Sequence, residues 1–380
     1  TWGRSGDDLL MLYTGGTTGM PKGVMWRQDD LFMVLGGGGS AALGREPAAD
    51  LVDLRSRIVG PGIKTLAACP LMHGTGQWGS IQVMWSAGCV VTLEGRSFHP
   101  EELWRTVQEK KVNVILIVGD AFAKPMLEEL DRNPGAYDLS SLFLIGSSGV
   151  MWSREVKEGL LKHHPGMILY DSFGSTEAVG LGQSVASGQQ ETSDTAKFQI
   201  GERVKVLKED GTPVEPGSDD IGMVAITGYI PLAYYKDPEK SARTFRTFDG
   251  VRYSIPGDFA KVNADDTIHL LGRGSVVINT GGEKVFPEEV EEILKQHEAV
   301  RDAVCVGLPD DRFGESIVAI VEPKGSANVD GDDVIEFVKG RLARYKAPKY
   351  VLTRPSIGRS PAGKVDYGGL KTWAREQLEV

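Results

Sequence analysis

The chain has 380 residues, 41% hydrophobic and 25% charged, with a formal net charge of −10. That length can bury a large core over two or more domains, and that composition is ordinary for a globular protein. The acidic balance argues against nucleic acid and anionic membrane surfaces as partners. The scattered Cys69, Cys89 and Cys305 suit neither a disulfide framework nor a zinc site, and they fit a reducing cytoplasm.

Taken in chain order, residues 9–13 read as a short apolar strand. It runs into Tyr13-Thr14-Gly15-Gly16-Thr17-Thr18-Gly19-Met20-Pro21-Lys22-Gly23. Glycines let the backbone close on a bulky anion and turn several N–H groups toward it. The threonine hydroxyls add donors and the lysine adds a point charge. The run describes a loop for nucleotide phosphates. It is not a Walker loop, because Pro21 precedes the lysine and Gly23 follows it. Residues 31–35 read as the end of a helix after this loop, broken by the four glycines at 36–39. The rest of 28–60 carries no clear pattern.

From 64 to 144, apolar strands such as 112–118 alternate with helical stretches such as 100–110. There Pro100 suits the first helical position, and Leu103, Trp104 and Val107 share a face. Such alternation implies a mainly parallel sheet covered by helices. An apolar strand at 167–170 leads into Tyr170-Asp171-Ser172-Phe173-Gly174-Ser175-Thr176-Glu177. Phe173 offers a flat face for a base, Thr176 a hydroxyl for phosphate and Glu177 a carboxylate for a hard cation. Magnesium commonly binds through one or two carboxylates plus phosphate oxygens. On these residues alone, Glu177 is equally a solvated glutamate at a helix start. Residues 200–272 hold short strands between Asp-Gly, Pro-Gly and Asp-Asp turns, the pattern of an antiparallel sheet or small barrel. Beyond Leu271-Gly272-Arg273-Gly274 comes a compact α+β pattern. It has one helical face of Val290, Ile293, Leu294 and His297, strands at 302–306 and 317–321, and a helix marked by Val334, Phe337, Val338 and Leu342. No apolar run approaches the roughly 18 residues that span a bilayer.

The loop at 13–23 and the block at 170–177, in this order, resemble the phosphate-loop signature and the aromatic-Gly-x-Thr-Glu motif of the adenylate-forming enzymes, the acyl-CoA synthetase family. The resemblance covers nearly all of the chain. It implies an α/β fold: a large adenylation domain over 1–272, with an α/β part to 199 and a β subdomain from 200, then a small C-terminal α+β lid over 273–380. The family carries a further segment upstream of the loop, so the chain is expected to lack the amino-terminal portion of the large domain. By itself it is then expected to bind adenine nucleotide and turn over poorly.

The resemblance also assigns roles. Thr14, Gly15, Gly16, Thr17, Thr18, Gly19 and Lys22 would hold phosphates. Ser148 and Gly149, in Gly146-Ser147-Ser148-Gly149, would border the adenine with Asp171, Ser172 and Phe173, although two serines here replace the commoner Gly-Ala. Asp258 and Arg273 would reach the ribose, with Pro256 where threonine is common. Glu177 would hold magnesium beside Thr176. His73, Trp78 and Gly79 would shape the acyl pocket, His73 as a gate and not as a base. Ser275 falls on the hinge position, where many members have Asp or Lys. Gly281 and Gly282 would line the tunnel for the arm of coenzyme A. Lys364, in Ser360-Pro361-Ala362-Gly363-Lys364, would bridge carboxylate and α-phosphate during adenylation, with Ser-Pro replacing the usual Thr-x start. Two stretches, Thr14–Trp26 and Ile278–Pro287, resemble actinobacterial synthetases for long or bulky acids, steroid side-chain acids included. ATP, magnesium and coenzyme A are the implied cofactors, and small molecules the implied partners, with a homodimer left open. The rival readings are an acyl-AMP ligase that loads a carrier protein and a non-catalytic nucleotide-binding fragment.

Overall fold

Four β-sheets organise the chain in the computed structural model, which describes residues 3–14, 21–37, 46–150, 152–188, 197–360 and 363–379. The six-stranded sheet runs Cys89–Val91, Lys64–Ala67, Val114–Ile117, Leu144–Ser148, Ile168–Ser175, Ala178–Ser187 across its width. Its first five strands are parallel and the last turns back antiparallel. Helices Gly74–Trp85, Pro100–Lys110, Asp120–Arg132 and Arg154–His163 connect these strands. The expected helix over 100–110 forms as read, with Pro100 at its first turn and Leu103, Trp104 and Val107 buried. Those side chains join Ile115, Ile117, Met126, Ile145 and Leu160 in the main core, and the Trp104 indole N–H donates to the Met126 carbonyl at 3.0 Å. Strands covered by helices read as continuous apolar runs, which is why Val-Ile-Leu-Ile sits here.

A second sheet has three antiparallel strands, Leu9–Thr14, Lys22–Arg27 and Ala233–Tyr234. Thr14 pairs with Lys22, so the glycine-rich run joins the two arms of a hairpin. The helix whose end was read at 31–35 forms as Gln28–Val34, and a second strand not read from the sequence, Lys22–Arg27, lies between it and the glycine-rich run. The physical reason is the alternation in Gly23-Val24-Met25-Trp26. Val24 and Trp26 are wholly buried on one side of an extended segment, and β-branched and aromatic residues favour that conformation.

The third sheet contains seven strands drawn from Lys197–Phe198 to Ile268–Arg273, and its pairings are antiparallel, as the turn spacing implied. The fourth holds Ile278–Thr280, Glu283–Val285, Val300–Asp310, Gly314–Pro323 and Tyr350–Thr353. Helices Pro287–Lys295 and Gly331–Lys339 pack on one face and Tyr367–Leu378 on the other. The last strand and last helix had not been read from the sequence: the strand is four residues long, and the helix opens on Tyr-Gly-Gly. This unit touches the helix Asp120–Arg132, where Lys124 Nζ donates to the Arg301 carbonyl at 2.8 Å and Arg301 pairs with Glu128 at 3.4 Å. Among the described residues no helix is long and apolar enough to cross a membrane.

Candidate active site

A cavity of about 1480 Å³ lies beyond the carboxyl ends of the parallel strands and reaches the antiparallel sheet and the C-terminal unit. Open parallel sheets bind ligands at this edge. Three segments meet at its centre.

The first is the turn Thr176-Glu177, which joins two antiparallel strands and is not a helix start. Three side chains hold it. The Trp26 indole N–H donates to the Thr176 carbonyl at 3.0 Å. The Ser254 hydroxyl donates to the Glu177 carbonyl at 2.6 Å. The Tyr234 hydroxyl donates to Glu177 Oε1 at 2.7 Å. Trp26 and Tyr234 come from the three-stranded sheet and Ser254 from the seven-stranded one, so the turn is fixed where three sheets converge. Sequence reasoning missed all three residues, because each acts on a partner at least 57 positions away. Burial, with Glu177 beside it, pushes the Tyr234 phenol above its ordinary value, so it stays a neutral donor.

The second segment pairs Asp258 with Arg273, Nε to Oδ1 at 3.1 Å, across adjacent strands. Burial raises Asp258 above the ordinary carboxylate value while Arg273 opposes that rise. The two proposed ribose residues are therefore together.

The third is Lys364. Its turn is closed by the Gly363 amide donating to the Ser360 carbonyl at 2.8 Å and by the Lys364 amide donating to the Ser360 hydroxyl at 3.1 Å. Arg359 braces it, holding Asp302 through two bonds of 2.6 and 2.9 Å and donating to the Gly363 carbonyl at 3.2 Å. Gly363 has φ +72°, and a Cβ there would lie 3.2 Å from the Ala121 Cβ, so the turn needs glycine. The Lys364 ammonium is lowered by burial and by Arg273, and Glu177 opposes that shift. Charge from the C-terminal unit thus enters the same cleft as Glu177 and Arg273.

His73 caps the helix Gly74–Trp85, its Nδ1 accepting from the Thr75 amide at 3.3 Å. Burial, and then the charge of Lys364, lower its imidazole to about 4, so the ring is neutral at pH 7. Gly149 has φ +95°, and a Cβ there would stand 3.1 Å from the His73 ring. Ser148 and Phe173 also line the cleft. Trp78 packs edge-on against Trp26 at 6.2 Å and is largely core. Gly79 leaves room for Leu116, and beyond it the cavity runs along Ile58, Ile63 and Val83.

Asp171 borders the cleft, but its carboxylate is engaged elsewhere. Its side chain turns to the opposite face of its strand from Tyr170 and Ser172 and pairs with buried Lys157 at 2.8 Å. The Lys157 ammonium also sits 5.3 Å from the Trp152 ring centroid. The carboxylate belongs to a buried ion pair under the sheet, leaving only backbone for the cleft. Gly281 and Gly282, with φ +61° and +87°, form an exposed turn outside the cleft lining. Gly15, Gly16, Thr17, Thr18 and Gly19 lie outside the described residues, as does the side chain of Ser275; Thr14 and Lys22 flank the loop. Among the described residues no group of three His, Cys, Asp or Glu side chains is placed to hold a metal. One carboxylate at Glu177 beside a phosphate site still fits magnesium, which takes few protein ligands and completes its shell from phosphate and water.

A cleft that gathers an acid–arginine pair, a buried carboxylate and a lysine from a separate unit defines a nucleotide-binding α/β enzyme fold. Residues 3–235 match the family model described as AMP-binding enzyme, and residues 289–364 match the AMP-binding enzyme C-terminal domain. The chain belongs to the AMP-binding enzyme family. It is 46% identical over 382 residues to the 3-oxocholest-4-en-26-oate–CoA ligase of Rhodococcus rhodochrous, covering 98% of this chain and 67% of that protein. It is 43% identical to the medium/long-chain-fatty-acid–CoA/3-oxocholest-4-en-26-oate–CoA ligase of Mycobacterium marinum, covering 99% and 67%. The chain therefore spans about two thirds of the length of these relatives. In fold it is similar to ATP-bound MatB from Rhodopseudomonas palustris, with TM-score 0.78, 24% identity and 99% and 70% of the two chains covered. It is also similar to the AMP complex of o-succinylbenzoate coenzyme A synthetase from Bacillus subtilis, with TM-score 0.77, 22% identity and 97% and 70% covered.

Proposed function

We propose that this chain activates a carboxylic acid with ATP, as acyl-AMP, and passes the acyl group to coenzyme A, the acid being long-chain or bulky and hydrophobic. The observation that carries the reading is the convergence of Lys364, Glu177, Arg273 and Asp258 on one cleft that continues into a mainly apolar cavity. The names of the relatives, a steroid side-chain acid and medium to long fatty acids, support the acid class.

In the first half-reaction a carboxylate oxygen bonds to the α-phosphorus of ATP. The bond to the β-phosphate oxygen breaks, and its electron pair leaves with pyrophosphate. Carboxylate and triphosphate repel, and Lys364 between them offsets the charge that builds up. Asp258 and Arg273 would hold the ribose, and Phe173 would offer its face to the base. Glu177 would hold magnesium with phosphate oxygens, an ion that supplies charge neutralisation when bound. Neutral His73 lines the cavity and would gate the acyl chain without adding charge there. In the second half-reaction the CoA sulfur bonds to the acyl carbon, the carbon–oxygen bond to AMP breaks, and the thiol proton passes to solvent. No protein nucleophile is needed; the work is positioning and electrostatics. We assign residues 273–380 to a lid that turns near Ser275, exchanging Lys364 for the turn at Gly281-Gly282 between the two halves. The setting we propose is a reducing cytoplasm, in keeping with three free cysteines.

The test is a single-turnover incubation with ATP, magnesium and a panel of acids, read by mass spectrometry. Acyl-adenylate forming with long or polycyclic acids, and discharging to thioester and AMP when CoA is added, is the expected result. An adenylate that CoA fails to discharge would point to a carrier-protein acceptor, and no adenylate with any acid would overturn the reading.

A further inference from the structure

Two ammonium groups converge on one aromatic ring beside Glu177, and the sequence motifs account for only one of them. Lys22 closes the glycine-rich hairpin, whereas Lys240 stands on the short helix Pro238–Thr244. Lys22 Nζ lies 5.9 Å, and Lys240 Nζ 5.3 Å, from the centroid of the Tyr234 ring. The ring is fixed on both counts that matter. Its strand pairs with Lys22–Arg27, and its hydroxyl is bonded to Glu177 Oε1. Lys240 is also held at its backbone, where its amide donates to Asp237 Oδ1 at 3.1 Å.

Among the described residues, no carboxylate lies within salt-bridge reach of either lysine. Lys240 is half-buried, and the groups that bear on it are Lys22, which opposes its charge, and Glu177 and Asp237, which favour it. Burial and Lys22 together bring its ammonium down to about 8. Two long cationic side chains on a surface ordinarily separate into water, because like charges at this range repel. Here they meet at one ring whose hydroxyl is bonded to Glu177, an arrangement that a polyanion placed between them would relieve. Cation–π contact with Tyr234 offsets part of the repulsion meanwhile.

We propose that Lys240 is a second phosphate-binding cation, gripping with Lys22 the β- and γ-phosphates of ATP and then the departing pyrophosphate. The inference rests on the adenylation reading and adds a residue to it. When the bond between the α-phosphorus and the bridging oxygen breaks, its electron pair stays on pyrophosphate, and negative charge grows beside these two ammonium groups. AMP carries neither outer phosphate, so its affinity does not depend on Lys240.

The experiment is calorimetric titration of the whole chain, and of its Lys240→Ala, Lys240→Gln and Lys240→Arg variants, with pyrophosphate and separately with AMP, both with magnesium. Thermal melting of each variant confirms that it is folded. Loss of one charge-assisted contact should weaken pyrophosphate roughly tenfold or more in the Ala and Gln variants. Arginine, which keeps the charge, should stay within roughly threefold of the parent, and AMP affinity should be unchanged throughout. Pyrophosphate binding that is absent in the parent, or equal in the parent and in folded Ala and Gln variants, overturns the proposal. If the parent binds pyrophosphate through Lys240 but does not bind AMP, the adenylation reading falls while the site stands. If AMP binds and pyrophosphate is indifferent to Lys240, the reverse holds.

Discussion

Replacing Lys364 by alanine separates the two half-reactions. The turn that presents the lysine is held through the Gly363 amide and carbonyl, the Lys364 amide, Ser360 and Arg359, and those bonds survive truncation of the Lys364 side chain. What is lost is one partly desolvated ammonium in the field of Arg273 and Glu177. Removing one preorganised hydrogen-bond donor from a developing charge costs about 10²–10³ in kcat, or about 2.7–4 kcal/mol. A full charge, already half stripped of water, belongs at the upper end, so adenylate formation should fall by roughly 10³. Thioester formation from supplied acyl-adenylate and CoA involves no approach of carboxylate to triphosphate, and it should stay within roughly threefold. Pyrophosphate exchange into ATP reads the first step, and thioester absorbance on added adenylate reads the second. Equal losses in both would refute the role given to Lys364.

Other consequences follow from the same geometry. Lys157→Met should cost about 3–5 kcal/mol in urea unfolding, because it strands the buried Asp171 carboxylate; AMP affinity of the folded variant should hold, and an AMP defect at unchanged stability would return Asp171 to the nucleotide. Glu288 accepts from the Arg273 amide at 3.3 Å, and burial raises its carboxyl from 4.5 to about 8. The folded chain therefore keeps a proton that the unfolded chain gives up, so this group's stabilisation is complete below about pH 4.5 and is lost as pH rises to about 8. Glu288→Gln should remove that slope, and the gap between variant and parent in unfolding free energy should widen across this window; a constant gap would contradict the assignment. Glu177→Gln keeps an oxygen to accept from Tyr234, so the fold should persist while magnesium-dependent ATP use weakens; an unchanged magnesium titration would make Glu177 structural.

The parallel sheet was legible because its signals are local: Pro100 at a helix start, Leu103, Trp104 and Val107 on one face, and an apolar strand close behind. The antiparallel unit was legible from its turns. Residues whose meaning depends on distant partners were not. Nothing in Tyr170–Glu177 says that Asp171 faces Lys157, since a strand's two faces are told apart only by what covers them. On local residues alone Glu177 is equally a helix-start glutamate or a cation ligand, and only the folded chain brings Trp26, Tyr234 and Ser254 onto its turn. Lys240 lies in a plain Asp-Pro-Glu-Lys helix start, and only the folded chain sets it beside Lys22. The resemblance to a family supplied Asp258, Arg273 and Lys364, which composition and periodicity alone would have left as a turn acid and two surface cations.

The central claim is that the nucleotide cleft and the apolar cavity form one site for an acyl-adenylate. Calorimetry with AMP, and with two non-hydrolysable acyl-sulfamoyl adenosines, one acetyl and one long-chain, tests it most directly. Intermediate mimics bind roughly 10² or more tighter than the parts they join, and the long chain adds burial of about 0.8 kcal/mol for each methylene placed in the cavity. The account predicts that the long-chain analogue binds at least roughly 100-fold tighter than AMP and clearly tighter than the acetyl one. A long-chain analogue that binds no better than AMP would contradict it.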